Sequence, residues 1–167
     1  MAILQKKICL LGMFGVGKTS LVRRYVNQIF EEKYHTTIGV KVDHKLVALE
    51  KANVNLLLWD IAGQEEEHPY VENYFRGAHG ALIVYDVLRP ESVQATAEYC
   101  ARLLRVAPHV KLAFTGNKSD LAEAGTLNAE EFKKALGQRT AAHFFTSAKS
   151  GENVEAAFTT LAQMMIL

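Results

Sequence analysis

The sequence predicts an α/β fold in which a mostly parallel sheet is covered by helices on both faces. Three observations predict it. Short apolar runs bounded by glycine or polar turns alternate with amphipathic stretches. One pair of early runs is joined by a turn too short for a crossover, so that pair is a hairpin. A glycine-rich loop leads directly from the first apolar run into the first amphipathic stretch. The 167 residues suit one compact domain, 1–167, large enough to bury a core without staples.

Residues 3–11, 80–87 and 110–116 are rich in Ile, Leu, Val and Ala, as strands shielded on both faces must be. Residues 40–49 alternate, with Val40, Val42, His44 and Leu46 on one face. Residues 53–60 follow after Glu50-Lys51-Ala52 and complete the hairpin. A helix begins at Lys18 and runs to about Asn27. A second follows Arg89-Pro90, where proline suits a first turn because its missing N–H had no partner there. Asn128 and Glu131 have capping-box spacing and start a third. In the last helix Val154, Phe158, Leu161 and Met165 recur on one face.

Composition narrows the function. At 49% hydrophobic and 22% charged residues the chain is a globular protein, not a disordered one. Its formal charge of +1 advertises neither nucleic-acid nor membrane-surface binding. Cys9 and Cys100 form no disulfide framework and have no metal-ligand spacing, so they read as buried thiols of a reducing cytosol. His44, His109 and His143 show no ligand spacing either, and His35 reads as an exposed loop histidine. No apolar stretch approaches the roughly 18 residues of a membrane span. The charged start, leading into a glycine-rich loop, argues against a signal peptide, and Met164-Met165-Ile166-Leu167 has no cysteine to prenylate. A soluble cytoplasmic protein, with no membrane anchor in this chain, is expected.

The strongest local signal is Gly12-Met13-Phe14-Gly15-Val16-Gly17-Lys18-Thr19, a G-x-x-x-x-G-K-[ST] loop between a strand and a helix. Glycines let backbone N–H groups approach phosphate oxygens, and the helix that follows points its N-terminal amides at the same anion. Lys18 adds a point charge at the β- and γ-phosphates, and the Thr19 hydroxyl can ligate Mg²⁺. Asn117-Lys118-Ser119-Asp120 follows the strand 110–116 and so lies on the carboxyl rim where ligands of α/β sheets bind. The Asp120 carboxylate can accept two donors at once, a pair that guanine offers and adenine does not. Taken alone, N-K-x-D is equally well an ordinary polar loop.

Five motifs in order carry a resemblance. They are the loop at 12–19, Thr37 in Tyr34-His35-Thr36-Thr37-Ile38-Gly39, Asp60-Ile61-Ala62-Gly63-Gln64-Glu65, Asn117-Lys118-Ser119-Asp120, and Ser147-Ala148-Lys149. Over essentially its whole length the chain resembles a Ras-superfamily small GTPase. Within the superfamily it is most similar to the Rab branch, through Thr37-Ile38-Gly39-Val40, Trp59 to Glu65 and Tyr74-Phe75-Arg76-Gly77-Ala78-His79-Gly80.

The resemblance implies the P-loop NTPase (small G-protein) fold, with a six-stranded, mostly parallel sheet and one antiparallel hairpin. It implies GTP/GDP bound with Mg²⁺ and slow hydrolysis. Nucleotide contacts would come from Phe14, Gly15, Val16, Gly17, Lys18, Thr19, Ser20, Phe30, Thr37, Gly63, Asn117, Lys118, Asp120, Ser147, Ala148 and Lys149. Phe30 would pack on the guanine edge, Lys118 would lie along the base, and the Ala148 amide would meet the guanine oxygen. Thr19, Thr37 and Asp60 would hold the metal, Asp60 through a water. Catalysis would rest on Gln64 orienting the attacking water, with Lys18, Thr37 and Gly63 at the γ-phosphate. Residues 30–42 and 61–76 would be the switches, relaxing once the γ-phosphate is gone. Effector, exchange-factor and GTPase-activating proteins are the implied partners of a monomer, and membranes would be reached through partners or a C-terminal tail.

The chain departs from the family at Phe14, where glycine or serine is common. A phenyl ring there is expected to crowd Gln64 or exclude an arginine supplied by an activating protein, giving slow or partner-insensitive hydrolysis; the alternative is a ring that points outward over the loop and leaves the chemistry alone. Ile61 replaces a usual threonine, and Glu66-Glu67-His68 replaces a basic and aromatic stretch, which reads as altered partner choice. Tyr70, Tyr74 and Phe75 are divided between core and recognition surface. The alternative is a guanine-nucleotide-bound interaction module with little or no hydrolysis because of Phe14. An ATP-using enzyme comes third, opposed by Asn117, Lys118 and Asp120.

Overall fold

A computed structural model describes residues 2–31, 39–63, 68–137 and 142–167. Six strands form one sheet: β1 (Ile3–Leu11), β2 (Val40–Ala48), β3 (Asn53–Ile61), β4 (Gly80–Asp86), β5 (Lys111–Asn117) and β6 (Ala142–Phe145), in the order β2-β3-β1-β4-β5-β6. Only β2 and β3 pair antiparallel; the other neighbours are parallel. The hairpin turn closes with Leu49 N–H donating to the Ala52 carbonyl at 3.0 Å. β3 and β4 flank β1 on opposite sides, so the carboxyl ends of all three open onto one crevice.

Helix α1 (Lys18–Asn27) starts after Gly17 and ends at Gln28, whose backbone N–H returns to the Arg24 carbonyl. Helix α2 (Glu72–Phe75) is a single turn, preceded by a 3-10 turn at Pro69–Val71. Helix α3 (Pro90–Val106) has proline in its first turn, as predicted. In α4 (Ala129–Leu136) the Asn128 side chain accepts from the amides of Glu130 and Glu131, which confirms the cap read from the sequence. Helix α5 (Val154–Met164) buries the stripe Val154, Phe158 and Leu161, and Met165 continues it just past the helix end.

The sheet has a core on each face. On one, Ile8, Leu10, Leu56 and Leu82 pack with Leu21 of α1 and Phe158 of α5. The Tyr25 and Phe158 rings stack there, with centroids 4.3 Å apart. On the other, Cys9, Leu11, Ile83 and Phe114 pack with Leu103 of α3. Both cysteines are buried thiols, and burial pushes Cys9 up to about 12 and Cys100 to about 11, so neither is a thiolate nucleophile. Two features of the sheet go beyond the sequence reading. The Val42, His44 and Leu46 part of the Val40 face of β2 points to solvent, with Leu46 60% exposed, because along this edge strand only Val40 on that side reaches a core, while Val47 packs on the opposite side. β6 is a short, half-buried strand that no run of apolar residues announces.

Candidate nucleotide site

The loop after β1 is tied down by the loops after β4 and β5. Three successive carbonyls are held from outside. Arg89 Nη1 donates to Phe14 O at 2.8 Å, Lys118 Nζ to Gly15 O at 2.8 Å, and Asn117 Nδ2 to Val16 O at 3.0 Å. Gly17 has φ 101° and its missing side chain makes room for Asn117 Nδ2, so only glycine serves there. The buried Lys18 ammonium folds back and donates to the Gly12 carbonyl. A cluster of backbone dipoles with a cation at its centre suits an anion.

Asp60, at the end of β3, faces the same loop. Thr19 Oγ1 donates to Asp60 Oδ2 at 2.6 Å, whereas Oδ1 is buried with no hydrogen-bond partner among the described residues. Burial raises the Asp60 pKa, against the Thr19 hydrogen bond and the Lys18 charge, which lower it. An orphaned buried carboxylate oxygen costs about 1–3 kcal/mol. A hydroxyl, a carboxylate and room for phosphate oxygens are the donors that Mg²⁺ takes, so these residues fit that ion. Among the described residues no group of three His, Cys, Asp or Glu side chains could hold a metal by itself.

The third corner lies beyond β5. Asp120 Oδ1 accepts from Ser147 Oγ at 2.8 Å, and Ser147 Oγ accepts from the Ser150 amide at 3.0 Å. Thr146 Oγ1 lies 3.2 Å from Asn117 Oδ1 and donates to it, joining the two loops. Lys118 adopts φ 65° and pairs with Asp86 Oδ2 at 3.1 Å, which spreads its charge between Asp86 and the phosphate loop. Arg24 of α1 donates to the carbonyls of Ala148 (2.7 Å) and Lys149. One cavity of about 400 Å³ unites the three corners, a size that suits a small-molecule ligand.

The Ras family model matches residues 7–167 of this chain. Ras-related protein Rab-1 of Theileria parva is 37% identical over 161 residues, which covers 95% of this chain and 73% of that protein. The chain belongs to the Ras family. As a Ras-family small GTPase similar to the Rab branch, it is a GTP-binding switch with the small G-protein fold. Among the described residues no helix is long and apolar enough to cross a membrane.

Most of the site residues expected for a Ras-family chain line the cavity: Phe14, Gly15, Gly17, Lys18, Thr19, Ser20, Phe30, Asp60, Gly63, Asn117, Lys118, Asp120, Ala148 and Lys149. Val16 and Ser147 do not; both are fully buried, Val16 in the core and Ser147 behind Asp120. Thr37 and Gln64 lie outside the described residues. Phe14 is 45% exposed at the cavity rim. Sequence reasoning missed Arg23, Ile29 and Leu121 in the lining, and Arg24, Asp86 and Arg89 as supports. Nothing local distinguishes them from ordinary helix, turn and loop residues.

Proposed function

We propose that this Ras-family chain binds GTP and GDP with Mg²⁺ in the cavity and hydrolyses GTP slowly, signalling the bound nucleotide through residues 30–42 and 61–76. The observation that carries this reading is the single cavity joining the Lys18–Thr19–Asp60 corner to the Lys118–Asp120 corner. Asp120, held by Ser147, is oriented to accept from guanine, with Lys118 along the base, Phe30 at its edge and Ala148 at its oxygen. Binding draws Lys18 from the Gly12 carbonyl to the β- and γ-phosphates, where it neutralises charge that grows in the transition state. Thr19, Thr37 and Asp60 would hold Mg²⁺, which would supply further neutralisation of the phosphates. Gln64 orients the attacking water, and the Gly63 amide and Thr37 contact the γ-phosphate. Loss of that phosphate frees both segments.

The protein acts in the cytoplasm as a monomer, with effector, exchange-factor and activating proteins as partners. Single-turnover hydrolysis of pre-loaded GTP tests the reading. Slow phosphate release that vanishes in Gln64→Leu is expected, and failure to bind guanine nucleotides at all overturns it. Phe14 at the cavity rim favours a second reading, a nucleotide-bound interaction module with negligible turnover. Tight binding without phosphate release would select that second reading.

A further inference from the structure

Arg89 lies at the joint between β4 and α3, and no motif of the sequence includes it. Its backbone is fixed: its N–H donates to the Asp86 carbonyl at 3.0 Å, and its own carbonyl accepts from the Ser92 amide at 2.9 Å and the Ser92 hydroxyl at 2.6 Å. The side chain takes no part in capping α3. It reaches back 75 residues instead, setting Nη1 2.8 Å from Phe14 O, while Nε lies 3.2 Å from Glu91 Oε1. A β-carbon on Gly15 would stand 3.3 Å from the same Nη1, so the guanidinium covers the outside of the phosphate loop.

We propose that Arg89 is a positioning residue that holds the Phe14–Gly15 peptide so that the Gly15 amide faces the bound phosphates. The inference rests on the nucleotide reading of the cavity. A trans peptide is planar, and its C=O and N–H point in opposite directions. Fixing Phe14 O on the outer side therefore turns the Gly15 N–H away from Arg89, and Gly15 lines the cavity. A cationic donor on the carbonyl also polarises the peptide and strengthens its N–H as a donor. Lys118 and Asn117 hold the next two carbonyls from the end of β5, and Arg89 holds this one independently, from the end of β4. Its fork permits the contact together with the Glu91 pair, which a lysine cannot reproduce.

The test uses the full chain loaded with a fluorescent GDP analogue and chased with excess GDP and Mg²⁺. Arg89→Ala is expected to speed analogue release about tenfold, the effect of losing a charged hydrogen bond. Arg89→Lys is expected to fall between Ala and wild type. In ¹⁵N spectra the Gly15 amide nitrogen is expected to move upfield in Arg89→Ala, because its peptide carbonyl loses a donor. Release at the wild-type rate with an unmoved Gly15 resonance overturns the proposal. So does an Arg89→Lys variant that releases the analogue at the wild-type rate, a comparison that stands even if the alanine variant folds poorly. If wild-type protein retains no analogue, the nucleotide reading fails, and the Gly15 resonance alone still decides whether Arg89 holds the peptide.

Discussion

Gly63 rests directly against the backbone of Phe14: a β-carbon on Gly63 would stand 2.7 Å from the Phe14 nitrogen and 2.8 Å from its α-carbon. The loop leaving β3 thus touches the loop leaving β1 at the cavity rim, with no space for a methyl group. Gly63→Ala must push the two apart. Displacement on the order of 1 Å at a reacting centre costs about a hundredfold in rate, and that loss is expected in single-turnover GTP hydrolysis. Retention of GDP is expected to change little, because Asn117 and Asp120 lie on the other side of the site. Hydrolysis at the wild-type rate would show that this contact has no bearing on the chemistry.

Phe14 brings a ring to the same contact. The residue is 45% exposed and borders the cavity, so Phe14→Gly opens the rim without removing a core side chain. Higher single-turnover GTP hydrolysis is expected. The variant is also expected to respond to an activating protein that inserts an arginine, an addition worth about 10³ to 10⁵ in rate. An unchanged rate in both assays would place the ring outside the path of water and arginine alike.

The parts of this molecule that were legible in the sequence are those whose partners are close along the chain or repeat with a clear period. The Lys18–Thr19 loop sits between a buried strand and an amphipathic helix, and the Phe158 stripe repeats every helical turn, so both stand out. Alternation in β2 distinguishes its two faces without telling which one a helix covers, which is why Val42 and Leu46 turn out exposed. β6 has four half-buried residues, too few for a period to show. Arg24 and Arg89 are cations at exposed-looking positions whose partners are carbonyls 124 and 75 residues away, and no local pattern encodes such a pairing. The switch residues Thr37 and Gln64 rest on the motif resemblance alone.

Asp120 is the residue proposed to choose the base. Its Oδ1 is fixed by Ser147, so its orientation does not depend on the ligand. Asp120→Asn replaces one acceptor oxygen with a donor amide, which opposes guanine's two donors but suits xanthine, whose 2-position is a carbonyl. Two donors left facing each other in the complex cost about 1–3 kcal/mol, so GTP affinity is expected to fall about tenfold or more. Xanthosine triphosphate is expected to gain in competition binding. Equal loss of both nucleotides would mean that Asp120 supports the loop and does not read the base.

His143 sets a pH dependence that owes nothing to the nucleotide. Its Nε2 lies 2.6 Å from the Tyr85 hydroxyl, and its ring stacks on Phe132 and meets Phe145 edge-on. Burial, helped by the charge on Lys133, pushes His143 down to about 4, while burial pushes Tyr85 up so that it stays a phenol. In the tautomer that leaves Nε2 unprotonated, the ring accepts a hydrogen bond from the Tyr85 hydroxyl, and protonation of that nitrogen removes the acceptor. Between about 4 and the ordinary 6.5 the unfolded chain binds the proton that the folded chain refuses. The stabilisation is therefore complete above pH 6.5 and is lost as the pH falls toward 4. Allowing for the ring's partial access to water, the loss is about 1–2 kcal/mol. His79, also lowered by burial and by Lys6 and Lys7, adds a slope of the same sign. Urea unfolding at pH 7.5 and pH 5 is expected to show a smaller drop in His143→Gln than in wild type, with His79 common to both. Equal drops in the two proteins would assign the acid sensitivity to other groups.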